Sequence, residues 1–481
     1  MKNSFKNILY LTVFTGIFTS GGYSYAHHIN KAEEVAPEPI AISALSEELN
    51  KNVQMSADLL SDWEEKGFHL YEVLAHAYQN NPTLLARRAA YQSIQEQLPQ
   101  AQSGFKPNIN AQGSINYTNT ETEGENFGNE DGGNTEKTVG VSLDQPLFRG
   151  GSTFANIKAA NAVIAAQKAS VYASEQEIMR RAVTAYMDVM RSHAFLELNK
   201  NNRALIAREL EQAEARFDVG ELTKTDVSQS QARLALADAG LTQAEGNLNT
   251  AKAVYLDVTG LEANEDNFSL PELTFQIPDT KEEALRLSEL QNLNVIAAEN
   301  NEIAAQYDVD SRFGALLPQL DLSSSVGRNF DSTAFTDEQD RFALGVTATI
   351  PLYQSGATRS RVREAKHIAN QRFMEVMEVK NAARSAAATQ YSIWQTAQAE
   401  IASRKAQVAA STLAREGVQF EAEFGERTTL DALDANQELL NAQLDLITAM
   451  RDEVVARFEL AETLGLLTPQ NLDLFELNED R

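Results

Sequence analysis

From Pro107 onward the apolar positions fall at every second residue. In NINAQGSINYT, Ile109, Ala111, Gly113, Ile115 and Tyr117 share one face, while Asn108, Asn110, Gln112, Ser114, Asn116 and Thr118 share the other. This predicts a strand over about residues 108–118, apolar on one side and polar on the other. Val139, Val141 and Leu143 alternate with Thr138, Gly140, Ser142 and Asp144, so a second strand is expected over about 138–146, stopping at Pro146. The stretch rich in Gly, Asn and Glu from Asn119 to Asn134 reads as the loop of a hairpin. The period then changes. From Ser152 to Val219 neither proline nor glycine interrupts a run of Ala, Lys, Glu, Gln, Arg and Leu, which predicts one helix of roughly 100 Å at 1.5 Å per residue. After Gly220, Val227, Leu234, Leu241, Leu248 and Tyr255 recur at steps of seven, with Ala237, Ala244 and Ala251 a few places on. Sustained sevens predict a second helix, about 222–259, packed lengthwise against a neighbour until Gly260, with the alanines admitting close approach.

The plan then repeats. Pro146, Gly151, Gly220, Asp226 and Gly260 reappear as Pro351, Gly356, Gly425, Asp431 and Gly465, each after the same shift (425 − 220 = 205). Pro107 maps to Pro318 with a shift of 211 (318 − 107), so the loop between the hairpin strands shortens in the second copy. The second repeat predicts strands over about 319–327 and 341–350, then helices over about 356–423 and 428–464. Leu433, Leu440, Ile447, Val454 and Ala461 stand at steps of seven in the last. The domain plan is a first repeat over 67–260, a connector over 261–280 with two prolines, a second repeat over 281–475 and a tail, 476–481. Ahead of these lie an acidic leader, 27–66, and residues 1–26. Lys2 and Lys6 before the apolar run Ile8–Phe18, with small residues at Ser24 and Ala26, predict a cleaved export signal.

Composition narrows the function. A formal charge of −27 argues against a nucleic-acid partner, which needs clustered Lys and Arg. With no cysteine, disulfides, thiolate metal sites and a lipid-acceptor cysteine are excluded. Four strands of about 9–11 residues, each with one apolar face and one face of Asn, Gln, Ser and Thr, have the length and pattern of a membrane-spanning barrel. A soluble sandwich is the ordinary alternative for such alternation. Four strands do not close a barrel, whose smallest form has about eight, so a spanning chain must associate with copies of itself. Two copies give eight strands and three give twelve, and periodicity does not choose between them.

The sharpest local signal runs from Gly425 to Ala435, GERTTLDALDA. Thr428-x-x-Asp431 has the form of a capping box, as has Thr223-x-x-Asp226 in the first repeat. Capping does not account for Asp434, which lies three residues from Asp431 on the same helical face. At the equivalent positions of the first repeat, Asp434 is replaced by Gln229 and Arg427 by Leu222. The second repeat therefore carries a carboxylate and a guanidinium that the first lacks.

The duplicated helix-strand-strand-helix plan, PLFRGG at Pro146, PLYQSG at Pro351, ARFDVGELTKTDV from Ala215 and FGERTTLDALDA from Phe424 closely resemble the TolC family of outer-membrane efflux and secretion ducts over roughly residues 69–475. The resemblance implies a mixed fold, in which four strands per chain complete a trimeric, twelve-stranded barrel in the outer membrane. A long α-helical coiled-coil tunnel continues the barrel into the periplasm. It implies that the duct is the exit of a tripartite efflux pump or type I secretion system. Its expected partners are a periplasmic adaptor, an inner-membrane pump or ABC exporter, and outer-membrane lipid. It also implies that Asp431 and Asp434 form carboxylate rings at a closable periplasmic end, and that Arg427 ties neighbouring helices shut with Thr225 and Asp226. The tips Val219, Gly220, Glu221, Leu222, Phe424, Gly425 and Glu426 match the family's adaptor contacts. Ala422 stands where the best-known member has a tyrosine in the latch, so a different or weaker latch is expected. Six such carboxylates around one axis would attract cations.

No constellation for catalysis or for a cofactor is visible. His27 and His28 sit at the expected mature terminus. His69, His76, His193 and His367 are isolated in helical patterns and read as surface residues. Two other readings of the architecture are a trimeric surface-anchored adhesin and a soluble periplasmic coiled-coil scaffold. The adhesin fits poorly, because these strands form two internal hairpins between long helices.

Overall fold

A computed structural model describes residues 69–124, 127–264, 268, 275–333 and 336–472, all inside the unit Ala41–Arg481. The expected export signal, the leader and the tail 476–481 lie outside the described residues. In chain order, α1 (His69–Asn80), α2 (Pro82–Gln95) and α3 (Gln97–Gln102) precede the hairpin of β1 (Asn108–Gly124) and β2 (Phe127–Arg149). Helices α4 (Ser152–Asp218) and α5 (Lys224–Thr259) follow. The second repeat has α6 (Lys281–Gln291), α7 (Leu293–Gly314), β3 (Gln319–Thr333), β4 (Thr336–Thr349), α8 (Ala357–Glu423) and α9 (Thr429–Thr463).

The strands form one antiparallel sheet in the order β1-β2-β3-β4, so two edges are left unpaired within the chain. The ladder runs beyond the expected strand ends. Thr118 pairs with Asn134 and Glu121 with Asp131, because backbone pairing continues after the apolar alternation has stopped. Nor does β2 stop at Pro146. A bulge between Pro146 and Phe148 against β3 lets the ladder continue to Arg149, as expected where proline withholds a donor.

Register sets the chemistry of the two faces. Ala111, Val141, Val326 and Phe342 stand in one row across the four strands. Ile109, Ile115, Tyr117, Val139, Leu344 and Val346 join that face and are exposed, Phe342 by 71%. Two residues along, the same face carries the Arg328–Asp340 pair, at 2.6 Å and 2.9 Å. The other face is polar, with Ser114 and Thr138 hydroxyls 2.7 Å apart. Around the junction of sheet and helices Phe105, Phe148, Phe154, Phe313 and Tyr353 are exposed. The described residues form this one sheet, and no second sheet among them packs on its apolar face.

Helices α4 and α8 have 67 residues each, about 100 Å at 1.5 Å per residue. α4 packs along α5, α8 along α9, and α7 along both α4 and α8. The sevens point inward: Leu248, Tyr255, Leu433, Leu440, Val454 and Ala461 are buried, as are the close-approach alanines Ala237 and Ala244. The largest core gathers halfway along α4, where Met179, Tyr186 and Met187 meet Leu70, Leu74 and Phe458. His76 belongs to this support and is not a surface residue. It is half-buried, and its Nδ1 donates to the Thr259 carbonyl at 2.8 Å. His193 is also half-buried, and His367 is exposed. Strand and helix join at Gly150, where φ is 61° and an added Cβ would stand 2.1 Å from the Gly314 carbonyl oxygen.

Candidate functional site

The end of the helices remote from the sheet is built from two hairpin turns, α4 to α5 and α8 to α9. Gly220 and Gly425 have φ of 83° and 79°, a left-handed geometry that glycine adopts without strain. Glu221 N donates to Arg216 O at 2.9 Å and Glu426 N to Glu421 O at 2.9 Å, which closes each helix end. Val219, Gly220, Glu221, Phe424, Gly425 and Glu426 are exposed, and Leu222 is half-buried. With Phe217 and Phe420 also exposed, each tip presents an apolar surface.

Both helix starts carry the reciprocal cap. The Asp226 carboxylate accepts from Thr223 N and Oγ1 at 2.8 Å and 2.7 Å. Asp431 accepts from Thr428 N and Oγ1 at 3.0 Å and 2.9 Å. These bonds favour the ionised form, so both carboxyls sit below their usual range, chiefly through the threonine backbone N–H.

The two turns differ in sign. In the first, Arg216 on the helix pairs with Glu221 in the turn at 3.1 Å. In the second, Glu421 on the helix pairs with Arg427 in the turn at 2.9 Å. Within one chain, then, the Arg427 hydrogen bond goes to Glu421, while Asp226 is engaged by Thr223 and Thr225 is exposed. Glu421 escaped the sequence reading. Its signal was the exchange of Arg216 for Glu421 across the 205-residue shift (421 − 216).

Asp434 is 56% exposed and is bonded by Arg233 of α5, a partner that the sequence reading also missed. Two residues on, Asn436 Nδ2 donates to Glu209 Oε1 of α4 at 3.3 Å. Burial pushes the Glu209 carboxyl up, against the Asn436 bond and the nearby Arg415 charge. Arg415 of α8 is itself buried. This end therefore carries paired acids at the helix starts and, just behind them, polar ties among the four long helices. The arrangement is suited to a charged constriction. Among the described residues no group of His, Asp or Glu has the geometry of a metal site.

Comparison with known proteins gives concordant results. The outer membrane efflux protein family matches residues 73–255 and 284–466, one segment per repeat. The outer membrane efflux protein BepC of Brucella suis is 32% identical over 424 residues, covering 88% of this chain and 91% of BepC. The outer membrane protein TolC of Vibrio cholerae is 26% identical over 434 residues, covering 86% of this chain and 94% of TolC. The solved Campylobacter jejuni CmeC outer membrane channel superposes with a TM-score of 0.72 at 16% identity, covering 84% of this chain and 87% of CmeC.

Proposed function

Because the chain belongs to the outer membrane efflux protein family, we propose that three copies assemble into one exit duct, closed and opened at the helical tips. The observation that carries this reading is the open sheet. Its two unpaired edges and its exposed apolar face are satisfied together when β4 of one copy pairs with β1 of the next in lipid, since a bilayer tolerates no free strand edge. Three chains give twelve strands. The helices need the same neighbours: α8 exposes Phe373, Met374, Met377, Ile393, Leu413 and Phe420 along its length.

The polar sheet face then lines a water-filled bore, and the four long helices of each copy continue it as a periplasmic tunnel. An inner-membrane pump or ABC exporter, joined by a periplasmic adaptor that grips the apolar tips, delivers substrate to the bore, in efflux or in type I secretion. At the mouth, Asp431 and Asp434 of three copies form the carboxylate ring, and Arg427 ties adjoining helices through Thr225 and Asp226 of a neighbouring copy. In the isolated chain Arg427 is parked on Glu421. Exchanging one exposed partner for another costs little, which suits a latch.

The assembly is tested by disulfide trapping, for which the absence of native cysteine is an advantage. Single cysteines placed along β1 and β4 are expected to give a trimer-sized ladder on non-reducing gels of outer-membrane fractions. Recovery of uncrosslinked chain from the soluble periplasmic fraction would sink the reading and favour a scaffold.

A further inference from the structure

The seam between the coiled pairs α4/α5 and α8/α9 is crossed by a descending series of polar ties. Arg180 meets Glu462 at 2.5 Å, Arg451 meets Asp188 at 3.0 Å, and Asn436 meets Glu209 at 3.3 Å. All three join α4 to α9. Nearest the mouth the partners change, and Arg233 of α5 bonds Asp434 of α9. This tie is also the wettest: its side chains are 30% and 56% exposed, against 27% each for Arg180 and Glu462.

We infer that Arg233 sets the resting state of the mouth, by holding α5 to α9 within each protomer through Asp434 and by offsetting that carboxylate's charge in the ring. The inference rests on the reading of Asp431 and Asp434 as the constriction. Three features of the chain carry it. The tie stands within the first three turns of both helices, nearer the tips than the other three. It exists once per chain, because the 205-residue shift (438 − 233) replaces Arg233 by Glu438 and Asp434 by Gln229. And when Arg233 lets go, α9 keeps its hold on α4 at Asn436–Glu209 and α5 keeps its own at Arg203–Asp238, so what is freed is the α5–α9 contact at the mouth. An exposed charge pair is also the tie most easily exchanged for a partner's charge or screened by salt. With Arg233 beside Asp434, the constriction is less negative than its carboxylates alone would make it.

Single-channel recording in planar bilayers tests this with Arg233→Gln, Arg233→Lys and the exchanged pair Arg233→Asp/Asp434→Arg. Arg233→Gln is expected to raise resting conductance about twofold or more, and to raise the cation-over-anion permeability ratio, because a cation has left a focused field. Arg233→Lys and the exchanged pair are expected to return conductance towards the wild-type level. A merely structural role would move conductance without moving selectivity, and the exchange would not restore it. Unchanged conductance and selectivity in Arg233→Gln overturn the inference. Asp431→Asn, recorded alongside, separates the two levels. If it relieves block by multivalent cations while Arg233→Gln does nothing, only the role of Arg233 fails. If it leaves block intact, the ring itself is misplaced, and the role of Arg233 falls with it.

Discussion

Arg427 donates to Glu421 at 2.9 Å, a carboxylate one turn back on the helix that the arginine follows. The Glu421 bond, followed by the nearby Asp431 charge, raises the hold on the guanidinium proton. The two contacts proposed for Arg427 therefore compete. In the trimer, Arg427→Ala is expected to raise resting conductance, whereas Glu421→Gln is expected to leave it unchanged or lower it, by releasing Arg427 to the neighbouring copy. Bilayer recording of both variants checks the order. Equal gains from the two would assign the latch to Glu421 in place of Thr225 and Asp226.

The carboxylate ring makes a separate prediction. Multivalent cations applied from the tunnel side are expected to block the wild-type duct, and Asp431→Ala/Asp434→Ala is expected to abolish the block and reduce cation preference. Opposite charges attract strongly in a narrow, partly dehydrated bore. Block that survives the double substitution would place the constriction elsewhere.

At the junction of sheet and tunnel, Gly150→Ala is expected to lower the yield of heat-resistant trimer on denaturing gels. Positive φ at a non-glycine residue costs about 1–3 kcal/mol, and the new Cβ would press on the Gly314 backbone, which has no side-chain freedom with which to yield. Gly151 also has positive φ, at 82°, but no atom lies near its absent Cβ. Gly151→Ala is therefore the milder change, and gel-shift melting of the two variants side by side reads the difference.

Much of this architecture is legible from period alone. The strand alternation at Ile109–Tyr117 records the apolar face that the chain leaves open, and the sevens from Val227 and Leu433 record the helix sides that the fold covers. The strand ends are not legible, because residues such as Glu121 and Asp131 pair through backbone atoms that every sequence supplies. The ties at the mouth are legible in part. Thr428 and Asp431 are three residues apart, a distance that local geometry fixes, so the cap could be read. Arg233 and Asp434 are 201 residues apart, and among many surface charges nothing in the local pattern couples them. His76 misled for a related reason: its partner is the Thr259 carbonyl, 183 positions away.

Behind the mouth, Glu209 makes the pH response predictable. Burial raises its folded-state pKa above the ordinary value of 4.5, so between the unfolded and folded values the folded chain binds the extra proton. By linkage, that contribution favours the fold at low pH and is lost as pH rises through the folded pKa. Glu462, raised by burial against Arg180, adds in the same direction. The capped Asp226 and Asp431 act oppositely, but their depressed values place that effect below the ordinary 3.8, outside the window. Glu209 faces the amide of Asn436 and, from α8, the buried Arg415, whose own burial weakens its hold on its proton. Glu209→Gln keeps an acceptor for Asn436 and removes the buried charge. The expected result is a trimer whose melting temperature in detergent falls less than that of wild type as pH rises above the ordinary 4.5. An unchanged pH slope would show that Glu209 keeps its water in the assembled duct.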